Sequence, residues 1–174
     1  MSAATGSGRI QSNEGGKTLG RRIPLLTALL LLGWLSTAQA KDLALISNKA
    51  NSVEEVAMPE LLKICKGQLN KWSDGKSVTL VIRDPGSSAM RIALEKIYAA
   101  SKDDVASLIA SANHNRVNHP AIIVVESDEA LVKKVEGTPG AVGLVDVYAI
   151  TGGVTVLRIA GKLPLQPGYV LHGN

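Results

Sequence analysis

The sequence predicts an α/β fold, a single three-layer domain on a mostly parallel or mixed sheet of about five strands. Short apolar, β-branched runs recur at 43–47, 78–82, 121–125, 141–145 and 154–159. Segments of helical periodicity stand between several of them, joined by brief turns. Val78-Thr79-Leu80-Val81-Ile82 is apolar almost without a break, the pattern of a strand buried on both faces of a parallel sheet.

The domain is expected over 41–174, behind a leader at 1–40. Positions 1–20 hold five glycines and no apolar periodicity, so they read as disordered. Arg21 and Arg22 then precede the apolar run Ile23 to Leu35, which ends in Ser36-Thr37-Ala38-Gln39-Ala40. A charged start, a short apolar run and a small-x-small end form a secretory signal pattern. Cleavage is expected after Ala40, giving a periplasmic or secreted protein. The run falls short of the ~20 residues that span a bilayer. A retained N-terminal membrane anchor is the alternative, because the segment before the apolar run is long. The residues flanking Arg21-Arg22 fit a twin-arginine signal poorly.

Within the domain, Leu43 to Ser47 is the first strand and Asn48 to Val53 a polar turn. Met58 to Gly67 reads as a helix: Pro59 suits its first turn, Glu60 the dipole, Lys66 the last turn and Gly67 the position after the cap. Its inward stripe is expected to be Leu61, Leu62 and Cys65. A loop with Trp72 follows, closed by Asp74-Gly75. After the strand at 78–82, a helix is expected from Ser87 to Ala99, with Met90, Leu94 and Ile97 on one face and Ile92 near them. Lys102 to Ala112 is a further helix with acids in its first turn and Val105, Leu108 and Ile109 inward. Ala121 to Val125 is the third strand, Ser127 an N-cap, and the next helix stops at Gly137. Ala141 to Val145 and Val154 to Ile159 are the fourth and fifth strands. The tail from Gly161, with two prolines and three glycines, is expected to be irregular.

Charge and composition narrow the function. The chain is +4, but residues 1–40 carry four cations and one anion, which leaves the domain 15 cations against 14 anions. The basic balance therefore belongs to the leader, and with no Phe and few aromatics no nucleic-acid surface is expected. Cys65 is the single cysteine, so stability must come from packing, and it reads as a small core residue. His114 and His119 sit five apart in a polar loop without an adjacent carboxylate, a poor ligand spacing, and no metal is expected. Gly137, Gly140 and Gly143 follow a helix and precede a strand, the reverse of a nucleotide-binding loop. No nucleophile–base set is visible, so neither an enzyme nor a cofactor is expected.

One stretch remains chemically suggestive. Arg83-Asp84-Pro85-Gly86-Ser87-Ser88 leaves a strand, turns, and opens a helix carrying Arg91. Backbone N–H groups at a helix start, with arginines nearby, suit a small anion. The bland alternative is a helix capped by Ser87 with solvated arginines.

Three stretches together resemble periplasmic phosphate-binding proteins. Leu61 to Gly75 resembles their helix, glycine and tryptophan element. Arg83 to Ser88 resembles their anion loop, and Pro139 to Val145 their late glycine-rich strand. The resemblance implies one lobe of a type II periplasmic-binding-protein domain, in a family that passes an oxyanion such as phosphate to an ABC transporter. Carried over residue by residue, it implies a ligand set of Arg83, Gly86, Ser87, Ser88 and Arg91, with Arg83 as charge, Ser87 as hydroxyl and Ser88 as backbone donor. Family loops usually continue with glycine and threonine where this chain has Ser88 and Ala89, so one hydroxyl is missing. The loop that supplies the facing contacts in those families has no counterpart in this sequence. An ABC permease, or self-association supplying the other wall, is the partner implied. The second reading is a non-transport interaction module on the same fold with no ligand site.

Overall fold

The computed structural model describes residues 41–173. A five-stranded sheet runs through the middle. Its strands are β1 (Leu43–Asn48), β3 (Thr79–Arg83), β4 (Ile122–Val125), β5 (Ala141–Asp146) and β6 (Val154–Val156), in the order β4-β3-β5-β1-β6. β3 is parallel to both β4 and β5, while β1 runs antiparallel to β5 and β6, so the sheet is mixed. Two short strands, β2 (Glu55–Val56) and β7 (Arg158–Ile159), form a separate parallel pair. The expected fifth strand is therefore split between two sheets. Val154–Val156 pairs with β1, whereas Arg158 turns away to donate its N–H to Glu54 O at 3.0 Å.

Strand alternation divides the interior into two layers of side chains. Leu43, Leu45, Leu80, Ile82, Val142 and Leu144 face one side. There they meet α1 (Met58–Cys65), the helical segment 88–98 and α3 (Lys102–Asn113). Ile46, Val81, Ala141 and Val145 face the other, where Leu131, Val132 and Val135 of α4 (Asp128–Glu136) cover them. Burial of β3 on both faces follows from these two layers, as its apolar sequence predicts.

The helices differ from expectation in detail. α1 ends as a Schellman turn: Gly67 has φ +65°, its N–H reaches Ile64 O at 3.0 Å, and Gln68 N–H reaches Lys63 O at 2.8 Å. Ile64 is fully buried and Leu62 only partly, because the sheet meets α1 one residue round from the predicted stripe. The helix expected at 87–99 is composite, with a 3-10 turn at Ser88–Met90, an α turn α2 at Arg91–Ala93 and a π turn at Leu94–Tyr98. Met90, Ala93 and Ile97 are its buried residues, whereas Leu94 and Ile92 are half-buried. The widened π turn shifts the inward face after Ala93. α3 begins with a capping box between Ser101 and Asp104. Ser127 caps α4 through Ala130 N–H at 3.0 Å.

Two polar anchors tie the layers together. Asn48, 5% exposed, donates its amide to Val135 O at 2.9 Å and Glu136 O at 2.7 Å, closing the last carbonyls of α4. The irregular tail is fixed by Asp42, 1% exposed. One carboxylate oxygen meets His172 Nδ1 at 2.6 Å and the other accepts Leu165 N–H at 2.5 Å. Burial pushes the Cys65 thiol up to about 12. Among the described residues no helix is long and apolar enough to cross a membrane.

Three measurements check this packing. Asn48→Ala removes both side-chain bonds to the last carbonyls of α4 and should cost about 1–3 kcal/mol, read as a lower urea midpoint at unchanged slope. Gly143→Ala should cost about 1–3 kcal/mol by overpacking, because a Cβ there would lie 2.6 Å from Leu131 Cδ2 and 2.9 Å from Val135 Cγ2. Cys65 should resist a thiol reagent until the chain unfolds. Its folded value lies above the ordinary thiol value of ~8.5, so stability should fall as pH rises from there towards about 12.

Candidate functional site

The strand–turn–helix junction after β3 is built by local hydrogen bonds. Arg83 lies two residues beyond Val81, on the α4 side of β3. Its Nη1 donates to Asp128 Oδ1 at 2.6 Å, in the first turn of α4 where an acid suits the dipole. Among the described residues, Arg83 Nε is the one buried side-chain polar atom without a partner. Asp84 then organises the turn. Its Oδ1 accepts Gly86 N–H at 2.7 Å, and its carbonyl accepts Ser87 N–H at 2.9 Å and the Ser87 hydroxyl at 2.6 Å. Ser87 holds the N-cap position with extended backbone, but its hydroxyl points back to Asp84 and makes no capping bond. The Ser87 cap of the alternative reading is thus replaced by a turn closed through Asp84.

Past this turn the chain doubles back. The π turn ends at Ala99, which has φ +46°, and α3 starts three residues later. This reversal sets the start of α3 beside the Pro85–Ser87 turn. The two enclose an open depression of about 480 Å³, lined among others by Gly86, Ser87, Arg91, Glu95 and Lys102. Gly86, Ser87 and Arg91 therefore come together. Arg83 and Ser88 do not line the depression: Arg83 is drawn to α4, and Ser88 opens the 3-10 turn. Lys102 joins the group without having been singled out in the sequence. Its place depends on the reversal at Ala99, which no glycine or proline announces. Arg91 and Lys102 form no ion pair among the described residues, so the depression holds two free cations against one carboxylate, Glu95.

Trp72, His114 and Tyr98 have structural roles. Trp72 is buried and donates its indole N–H to Gly140 O at 2.8 Å, joining the loop after α1 to the turn before β5. His114 closes α3. Tyr98 donates its hydroxyl to Cys65 O at 3.1 Å, and burial pushes its phenol well above the ordinary range.

Comparison with known proteins agrees with this architecture. A PBP superfamily domain matches residues 34–168, so the chain belongs to the periplasmic-binding-protein superfamily. Its fold is similar to that of PstS from Borrelia burgdorferi, with a TM-score of 0.58 at 16% identity over 78% of this chain and 55% of that one. An ABC-type phosphate transport receptor from Vibrio cholerae gives 0.54 at 20% identity, over 77% and 54%. A phosphate binding protein from Stenotrophomonas maltophilia gives 0.54 at 19%, over 72% and 40%. The chain thus spans about half the length of the solved structures it matches. No curated protein matches it. Proteins of this superfamily are binding proteins and generally non-enzymatic.

The Arg83–Asp128 pair lies at the rim of the fold with its side chains 20% and 26% exposed, so its worth should be modest. A double-mutant cycle with Arg83→Ala and Asp128→Ala, read by urea unfolding, should give a coupling of about 0.5–1 kcal/mol that shrinks in high salt. A coupling of zero would mean that the contact adds nothing to stability.

Proposed function

We propose that this chain is an exported, phosphate-binding-protein-like domain that takes a small oxyanion such as phosphate, for uptake or sensing with an ABC-type permease. The reading is supported chiefly by the depression after β3, where Arg91 and Lys102 stand beside Gly86 and Ser87 without an ion pair among the described residues. Ser88 follows as a backbone donor at the helical start. Arg83 stands behind the turn and does not contact the anion, because its guanidinium is engaged by Asp128. The likeness to phosphate-binding folds suits the same ligand class. Export rests on the signal pattern of residues 1–40, which lie outside the described residues. A depression open on one side leaves part of the anion hydrated, so binding by this wall alone is weak.

A second reading is a non-transport interaction module. It is favoured by the internal use of Gly86 N–H and the Ser87 hydroxyl, both satisfied by Asp84.

Isothermal titration of the protein with phosphate and sulfate separates the two. Oxyanion binding predicts a millimolar dissociation constant, weakened about tenfold, or ~1.4 kcal/mol, by Arg91→Ala or Lys102→Ala. Arg83→Ala should change it only about twofold, or ~0.4 kcal/mol. Absence of both heat and thermal stabilisation at millimolar anion would leave the interaction module standing.

A further inference from the structure

We propose that Asn113 is the block that keeps the outer edge of β4 from pairing with a second copy of this chain. β4 is the outermost strand on its side of the sheet, and Ile122-Ile123-Val124-Val125 is wholly β-branched and uncharged. An exposed edge of that composition is a template for another strand.

The register shows which backbone groups are at stake. Leu80 is opposite Ile122, and Leu80 N–H donates to Ala121 O at 2.8 Å. Residues 121, 123 and 125 therefore direct their backbone groups at β3, while Ile122 and Val124 direct theirs outward. On that outer side Asn113, the last residue of α3, stands in for a strand. Its Nδ2 donates to Ile122 O at 2.7 Å, and its Oδ1 accepts Ile122 N–H at 3.0 Å. One carboxamide supplies the donor and the acceptor that a neighbouring strand would offer. Only Val124, 41% exposed, is left with its backbone groups facing outward within β4, too little for a ladder.

At the other end of the sheet β6 is only three residues long, and past it the chain leaves the sheet and pairs with β2, where Arg158 N–H meets Glu54 O at 3.0 Å and Ala160 N–H meets Val56 O at 3.1 Å. On the β4 side the closure of Ile122 rests on one side chain, and a substitution there exposes the edge.

The test is the molar mass of the protein by light scattering during size exclusion, over a range of concentrations. Asn113→Ala should at least double the average mass relative to the wild type as concentration rises. Adding Val124→Lys should return it to the wild-type value, because a charge at the exposed edge position opposes pairing. Should Asn113→Ala fail to fold, Asn113→Leu decides. It keeps the bulk of the side chain at the end of α3 without a charge and loses both bonds to Ile122, so it should associate more than the wild type. The proposal is overturned if the folded variant keeps the wild-type mass, or if its association survives Val124→Lys.

Discussion

The placement of α4 against β5 is the constraint on which the rest of the structure depends. α4 supplies the buried apolar side chains that cover one face of the sheet, and it can sit there because Gly143 has no side chain. Leu131 and Val135 fill the space a Cβ would need. Both ends of the helix are then put to use. Its C-terminal carbonyls are taken by Asn48 at the end of β1, which joins the antiparallel strand to the parallel ones. Its first turn carries Asp128 to the end of β3, where it receives Arg83.

That last contact sets the electrostatics of the candidate site. Strand alternation turns Arg83 towards α4, and Asp128 neutralises it there. The turn after it is satisfied from within by Asp84. What faces solvent as unpaired positive charge is instead Arg91 with Lys102, brought together by a π turn and a left-handed residue at Ala99. The residue with the most obvious sequence signature is thus committed to structure, and a residue with none contributes to the open depression.

Much of the fold was legible because its signals are local. β3 announces itself by unbroken β-branched residues, α1 by Pro59 and Gly67, and α4 by the Ser127 cap. The split between β6 and β7 was not, since it depends on Glu54 being nearby to receive Arg158, a contact separated by about a hundred residues. The offset from Leu62 to Ile64 depends on the angle at which α1 meets the sheet. For the site, the sequence offered residue types and order, so Gly86, Ser87 and Arg91 could be grouped. It could not show that Asp84 takes the Gly86 N–H and the Ser87 hydroxyl while Asp128 takes Arg83, because such pairing leaves no periodic trace. Asn113 is a similar case: in sequence it is only the polar end of a helix.

The central claim is that α4 holds Arg83 through Asp128 and leaves the Arg91–Lys102 side as the place where an anion is received. The most direct test is a two-dimensional nitrogen–proton NMR titration of the protein with phosphate, following the backbone amides and the arginine Nε–H groups. The account predicts saturable shifts at Gly86, Ser88 and the Arg91 side chain, with the Arg83 Nε–H signal unmoved. A shift of Arg83 with Arg91 unmoved would contradict it, and so would no shift anywhere in the segment from Arg83 to Lys102.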